Sequence, residues 1–223
     1  AGAYIAVPSS LNDSWDLLSY FARLNYSYKN KYLFTVTGRV DGSSRFGADN
    51  KWAFFPSGSF AWKISQEDFL KESKVINSLK LRVSYGLSGN QEIGALNSLQ
   101  RIQTASYLGG TDDALVTGLA PVNIANPDLK WETTSQFNLG MDIGLLQGRL
   151  NFVLDYYRKN TSDLLVQIPL AASSGFTSSL TNIGEMQNNG FEFSGNAAII
   201  DNDFKWNIGF NISTNKNEVS QLS

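Results

Sequence analysis

Eight short stretches of the chain alternate apolar and polar residues, and tight and long connections follow one another between them. The clearest stretch, Leu79 to Ser88, places Leu81, Val83 and Tyr85 on one side, with polar or small residues between them. A period of two residues puts successive side chains on opposite faces of a β-sheet. Tight turns on one side and long loops on the other are typical of a bacterial outer-membrane barrel. The pattern therefore indicates a pore or transporter wall.

The predicted fold is all-β, with about eight antiparallel strands. Their approximate bounds are 19–28, 32–40, 54–64, 79–88, 131–145, 149–160, 185–200 and 204–214. Residues 89–129 and 161–183 show no sustained period, so we predict that they are two long loops. Ser65 followed by Gln66, Glu67 and Asp68 resembles a helix N-cap with acidic residues in the first turn, which predicts one or two helical turns.

Composition excludes several classes of function. The chain has no Cys and no His, which removes cysteine nucleophiles, histidine bases and the common zinc ligand sets. No spacing of carboxylates, and no Ser-Lys pair, suggests catalysis, so we predict no enzyme activity, no metal and no cofactor. A net charge of -2 gives no electrostatic basis for binding nucleic acid. No apolar run approaches the ~18 residues of a membrane-spanning helix.

Several short motifs resemble the SusC/RagA family of TonB-linked outer-membrane transporters, in order and through nearly the whole chain. They are DGSSRFG at 41–47, FPS at 55–57, SYG at 84–86, GN at 89–90, LKWE at 129–132, DYY at 155–157, TSDLL at 161–165, NIG at 182–184 and NGFE at 189–192. No single segment is specific by itself, but together they are.

The resemblance implies a transmembrane barrel of 22 strands that is plugged by an N-terminal domain and contacts TonB at the periplasmic side. It also implies a SusD-like surface lipoprotein as partner, and the import of oligosaccharides, or peptides, in Bacteroidetes. Residues 1–223 would then be a partial barrel domain of about eight strands, without the plug domain or the TonB box. Its further partners would be the rest of its own barrel and outer-membrane lipid.

Charged side chains on the polar sides of the strands are the candidate site residues. They are Arg39, Arg82, Glu132, Asp142 and Asp155. In a wide barrel they would contact the plug or line the translocation path; alternatively, they form a network that only holds neighbouring strands together. Tyr107 and Trp131 are aromatic residues that can stack on sugar rings, although a place in an interfacial aromatic girdle or in loop packing is the stronger interpretation of Trp131. The loop Asp41 to Gly47 lacks the carboxylates of a calcium site, and we expect Asp41 and Arg45 to bond backbone groups there.

Two other all-β proteins remain open at this stage. One is a small, closed eight-stranded outer-membrane barrel, since eight strands are enough to close. The other is a soluble carbohydrate-binding module with two packed sheets. In the small barrel the eight strands would close into a ring, whereas in the soluble module the apolar face would pack against a second sheet.

Overall fold

The computed structural model describes residues 14–94, 97–109 and 114–222, and these form an all-β structure. No helix among them is long and apolar enough to cross a membrane. The strands are β1 (Leu17–Tyr28), β2 (Tyr32–Ser43), β3 (Trp52–Lys63), β4 (Ile76–Asn90), β5 (Ile102–Gly109), β6 (Ala114–Pro121), β7 (Glu132–Leu145), β8 (Leu150–Ser162), β9 (Leu165–Pro169), β10 (Ser178–Asn182), β11 (Glu185–Asp201) and β12 (Lys205–Gln221).

Eight of these strands form one antiparallel sheet in the order β1-β2-β3-β4-β7-β8-β11-β12. Each strand pairs with its neighbour along the chain, apart from two excursions that form separate hairpins, β5-β6 and β9-β10. The predicted all-β fold with about eight antiparallel strands is therefore confirmed.

The strands of the sheet meet at two kinds of connection. Residues 29–31, 64–75, 146–149 and 202–204 connect them at one end, which we call the tight-turn end. At the other end, the long-loop end, lie residues 44–51 and the two excursions. The tightest turns have a left-handed backbone: Lys29 and Asn30 have φ of 51° and 55°, as the type I′ hairpin turn requires.

The structure departs from the predicted elements in three places. The hairpins β5-β6 and β9-β10 lie in segments predicted to be long loops, and β12 runs to Gln221 instead of ending near Thr214. The predicted helical turns at Ser65 are a single 3-10 turn, Ile64–Gln66, in which Ser65 lies inside the turn and not at its N-cap.

The two faces of the sheet differ sharply in polarity. Directly paired residues share a face, and one row across five strands consists of Phe60, Val83, Leu139, Tyr156 and Phe191. We call this side the apolar face. The adjacent row, one residue away on each strand, points to the opposite side, which we call the polar face. It consists of Ala61, Arg82, Gly140, Asp155 and Glu192.

Little of the molecule is buried, and its main core lies at the long-loop end. Its members are Phe46, Phe55, Ile93, Leu129 and Trp131. The cluster joins the β2-β3 loop, β3 and both ends of the β4-β7 excursion. It therefore fixes where the long segments leave the sheet.

The sheet topology does not favour either alternative fold. Strands β1 and β12 are the two edges, and within the described residues they do not pair with each other, so these eight strands do not form a closed barrel. The other two sheets of the described residues have two strands each, so the layered core of a soluble sandwich is not formed there.

Candidate functional site

An ionic cluster lies on the polar face across β4, β7 and β8. The Arg82 guanidinium donates to Asp142 Oδ1 at 2.9 Å and to Asp155 Oδ1 at 3.1 Å, both through Nη2. The Lys80 Nζ lies 2.6 Å from Asp142 Oδ2. Three of the five predicted charged site residues are thus brought together. With Lys80, the cluster contains two cations and two anions.

Gly140 makes this cluster possible. It lies on β7 directly between Arg82 on β4 and Asp155 on β8. A Cβ built at Gly140 would collide with Asp155 Oδ1 and would lie 2.8 Å from Arg82 Cζ. Because there is no side chain at this position, the arginine reaches across a whole strand. Sequence reasoning missed this residue, although an isolated glycine inside a strand pattern is a known sign of close approach.

The cluster remains accessible from the polar face. The Arg82 and Asp155 side chains retain 37% and 29% of their surface. Glu192 on β11 lies opposite Asp155 and adds a third carboxylate, and within the described residues it forms no ion pair. Paired charges beside an unpaired carboxylate can hold a polar partner by hydrogen bonds and charge, but they offer no nucleophile activated by a base.

The other two predicted charged residues lie apart from this cluster and act as local ties. Arg39 Nε donates to Asp41 Oδ1 at 2.7 Å, and its Nη2 donates to Ser19 Oγ at 3.3 Å. At the start of β7, Glu132 accepts from Asn90 Nδ2 at 3.3 Å and from the backbone N–H of Leu165 at 3.4 Å. Their contacts join neighbouring segments near the long-loop end.

The aromatic candidates have opposite environments. Tyr107 lies on β5 and is 58% exposed as a residue, so it can contact another molecule. Trp131 is 6% exposed, contacts Phe46 and Phe55, and donates from Nε1 to the Lys51 carbonyl at 3.1 Å. Trp131 therefore packs the loops, as expected, and offers no platform for a ligand.

The segment from Asp41 to Gly47 forms structural contacts. As expected, Arg45 bonds a backbone group, since its Nη1 donates to the Gln91 carbonyl at 3.0 Å. The expectation for Asp41 is wrong, because its carboxylate accepts from the Arg39 side chain instead. Among the described residues, no three His, Cys, Asp or Glu side chains come close enough together to hold a metal ion.

The apolar face carries exposed rings and aliphatic side chains along its length. At the tight-turn end of β1-β3, Tyr28, Tyr32, Phe60 and Trp62 are stacked with ring centroids 6.3–6.4 Å apart. On β7, the apolar stretch from Phe137 to Leu145 has the length that a tilted strand needs to cross hydrocarbon, about 9–11 residues. On the same face, the polar residues Thr133 and Ser135 precede this stretch on β7, and Arg158 on β8 is paired with its first residue, Phe137. A face of this kind must be covered by an apolar medium.

Comparisons with known proteins agree with this two-sided sheet. The family model "TonB dependent receptor-like, beta-barrel" matches residues 2–220. The TonB-dependent receptor P3 of Formosa agariphila is 45% identical over 222 residues, which are 99% of this chain and 22% of that protein. The TonB-dependent receptor SusC of Bacteroides thetaiotaomicron is 44% identical over 214 residues, which are 93% of this chain and 21% of that protein.

Solved structures give the same result. The RagAB peptide transporter is similar with a TM-score of 0.85 and 36% identity, over 93% of this chain and 23% of that one. The siderophore receptor PirA of Pseudomonas aeruginosa shares the fold alone, at 12% identity and a TM-score of 0.56. The chain thus spans between a fifth and a quarter of the length of the receptor P3, SusC and RagAB chains that it matches.

The match over nearly the whole chain decides the class of protein and its location. Members of this family are receptors and transporters of the outer membrane, not enzymes. The apolar face is then the lipid-facing side of a barrel wall, and the polar face is its lumen side. This chain belongs to the TonB-dependent receptor β-barrel family, and it is similar to SusC and to the RagAB transporter within that family.

Proposed function

We propose that the chain is part of the barrel wall of a TonB-dependent nutrient importer and carries out no bond chemistry. The observation that carries the proposal is the Lys80-Arg82-Asp142-Asp155 cluster on the lumen face of a sheet whose other face suits lipid. A lumen of paired charges gives a plug domain or a passing polar solute hydrogen-bonding partners in place of water. The unpaired Glu192 beside it adds a position at which a cation from the plug can bind.

The rest of the importer lies in other parts of the longer protein under this proposal. Residues 1–223 form a partial barrel domain, and the plug, the TonB box and the further strands of a barrel of about 22 belong to the remainder. Energy for transport comes through TonB at the periplasmic side. The short length of the match relative to the whole relatives supports this arrangement.

A SusD-like surface lipoprotein is the proposed partner at the long-loop end. Tight turns lie on the periplasmic side of such barrels, so the two hairpin excursions face outward from the cell. Hairpin β5-β6 exposes Leu108, Leu115 and Leu119 as well as Tyr107. These side chains provide an apolar surface for a protein partner, while Tyr107 is available to a solute.

Oligosaccharides are the proposed substrate class, with peptides as the second candidate. Oligosaccharides follow from the SusC/RagA resemblance of the motifs. Peptides are favoured by the RagAB structure, which is that of a peptide transporter. The residues of this chain do not separate the two classes, because both present hydroxyl or amide groups to a polar lumen.

Uptake by the whole receptor tests this proposal. Cells that carry or lack the full-length gene are given radiolabelled oligosaccharides and radiolabelled peptides, with and without a protonophore. We expect accumulation that requires both the gene and the proton-motive force, and the substrate class is the one that accumulates. Equal accumulation with and without the gene for every compound would contradict an importer. Co-purification with a surface lipoprotein is scored separately, so that the partner can fail without the transport function.

A further inference from the structure

The connection between β3 and β4, residues 64–75, is tied to the barrel wall by one carboxylate. Glu67 accepts from Lys31 Nζ at 2.8 Å, from the Tyr32 hydroxyl at 2.7 Å and from Trp62 Nε1 at 3.0 Å. The three donors come from the β1-β2 turn, β2 and β3. These bonds hold the pKa of Glu67 down at about 2, so the carboxylate is charged at neutral pH.

The position of the donors shows on which side of the wall the connection lies. Tyr32 and Trp62 are directly paired residues of the apolar face, and their rings stack with centroids 6.3 Å apart. Glu67 meets the polar tips of these rings. At Glu67, the connection is therefore held at the lipid-facing side of the tight-turn end.

Beyond Glu67, backbone bonds form a compact turn that presents an apolar side chain. The N–H groups of Leu70 and Lys71 donate to the Glu67 carbonyl at 3.0 Å and 2.8 Å. Phe69 lies between Glu67 and Leu70 in sequence, inside this turn, and is 73% exposed. Within the described residues, no protein group covers this large ring, although the residues that follow it are held by backbone hydrogen bonds.

Exposed charged side chains lie on the same connection and on the turn that is bonded to it. Lys71 and Lys74 are exposed on the connection. Lys29 is exposed on the β1-β2 turn, whose Lys31 binds Glu67, and its Nζ lies 5.3 Å from the Tyr28 ring centroid. Asp68 and Glu72 are the exposed acidic groups of the connection. Phosphate and ammonium groups lie side by side in a zwitterionic phospholipid headgroup, and lysines and carboxylates of this arrangement complement them.

We infer that residues 64–75 are a membrane-surface anchor, in which Phe69 enters the headgroup–acyl boundary of the periplasmic leaflet and Lys29, Lys71 and Lys74 bind phospholipid phosphates. Rings that sit at this boundary can meet acyl chains on one side and headgroups on the other. Glu67 is the residue that positions the anchor. The inference rests on the membrane placement of the sheet and is independent of what the receptor transports.

Nitroxide accessibility in the full-length receptor tests the anchor. The chain contains no Cys, so Phe69→Cys provides one labelling position within it, in a receptor whose other cysteines, if any, are replaced. The receptor is reconstituted into vesicles of phosphatidylethanolamine and phosphatidylglycerol. Relaxation of the label by oxygen reports exposure to acyl chains, and relaxation by a water-soluble nickel chelate reports exposure to water.

Two labelled controls define the scale. Leu139→Cys lies in the middle of the apolar face and marks hydrocarbon, whereas Tyr107→Cys lies on the exposed β5-β6 hairpin and marks a position outside the hydrocarbon. We expect the ratio of oxygen to nickel accessibility at 69 to lie between these two, several-fold above that of the label at 107. A ratio equal to that at 107 would overturn the anchor. Protection from both relaxants would also overturn it, since a protein partner would then cover the ring.

Two further variants separate the parts of the inference. Glu67→Gln removes the charge that Lys31 binds, and we expect it to raise nickel accessibility at 69 several-fold while the receptor keeps its heat-modifiable migration in gels. Lys71→Gln with Lys74→Gln should shift the label part of the way toward water. An unchanged ratio in the first variant would contradict the role of Glu67 as the tether, and in the second it would contradict the phosphate contacts.

Discussion

Gly140 shows how a missing side chain can decide the arrangement of charges. Arg82 and Asp155 belong to strands that are not neighbours, and they form an ion pair only because the strand between them carries hydrogen at the crossing point. The polarity pattern places Arg82, Asp142 and Asp155 on one face, but it contains no information about which of them meet. That depends on the register of three strands, which the polarity pattern does not contain.

Replacing Gly140 with alanine should break the Arg82–Asp155 pair. The new Cβ collides with Asp155 Oδ1, and the displaced side chains would be left without their partners, which we expect to destabilise the receptor by about 1–3 kcal/mol. The measurement is the midpoint of unfolding of the full-length receptor in detergent, followed by loss of β-sheet circular dichroism. Gly58→Ala is the matched control, because its Cβ would meet only the Thr35 carbonyl, at 3.9 Å. Equal midpoints for the two variants would contradict the role of Gly140.

The contact between the Glu67 carboxylate and its three donors should resist acid unusually well. The ordinary pKa of a glutamate is 4.5, and that of Glu67 in the folded protein is lowered to about 2, because Lys31, Tyr32 and Trp62 all bond the charged form. A depressed carboxyl pKa contributes stability that is complete above 4.5 and is lost as the pH falls through about 2. We expect the 19F resonance of 5-fluorotryptophan at Trp62 to be constant from pH 7 to about 4 and to shift only below that.

The assignment and the control for this titration come from two substitutions. Trp62→Phe identifies the resonance by its disappearance. Glu67→Gln removes the titrating group, so the resonance of that variant should be independent of pH over the same range. A transition centred near 4.5 in the parent protein would show that the three bonds do not hold the carboxylate in solution.

At the scale of elements, the buried cluster around Trp131 separates the wall from the excursions. Trp131 closes the end of the β4-β7 excursion against Phe46 and Phe55, while the strands of the hairpin β5-β6 form a two-stranded sheet that is separate from the wall in the described part of the chain. The mobile or ligand-binding part of a long loop can therefore change without disturbing the strands that carry it. Glu132, next along the chain, adds a tie to Leu165 at the start of the second excursion.

Trp131→Ala should release the base of the first excursion. Removing a buried tryptophan side chain of this size costs about 3–5 kcal/mol locally. When proteinase K is added to intact cells, we expect it to cut the variant receptor within residues 91–131 much faster than it cuts the parent receptor. The membrane-embedded strands should remain protected in both. Tyr107→Ala is the control, since this exposed ring supports no buried contact. Equal cleavage rates for the two variants would show that the cluster does not hold the excursion.

The elements also show what the sequence could predict. Strands that face lipid on one side and the lumen on the other have a strict period of two, so the eight wall strands and their faces were predictable. Outside the membrane this constraint ends. Strand β12 continues past Thr214 with Lys216 and Glu218 on one face and Asn215 and Asn217 on the other, so both faces are polar there. The hairpins β5-β6 and β9-β10 are short, with apolar residues on both sides or few of them, so no single period marks them.

For the side chains of the wall, too, the sequence pattern predicts only part of the contacts. Alternation identified which charges face the lumen, but the Glu67 contacts were missed because they join a turn, two strands and a connection through side-chain tips. A sequence pattern reports the direction in which a side chain leaves a strand. It carries no information on how far a long side chain reaches past its neighbours.

At the scale of the whole molecule, the open sheet determines what the chain can do by itself. The backbone N–H and C=O groups along the outer edges of β1 and β12 have no ladder partner among the described residues. In lipid, each unpaired group costs several kcal/mol, and an exposed edge also pairs readily with another chain. The sheet therefore needs neighbouring strands on both sides before it can remain in a bilayer as a monomer.

Expression of residues 1–223 alone, in parallel with the full-length receptor, tests this requirement. We expect the full-length protein, refolded into detergent, to migrate faster in gels when unheated and to resist trypsin in its strands. The 24.6 kDa piece should show neither property and should elute as oligomers joined at their edges, because each added copy satisfies one open edge and exposes another. A heat-modifiable, trypsin-resistant monomer of the piece would mean that β1 and β12 close on each other in lipid, and the wall would then be a complete small barrel.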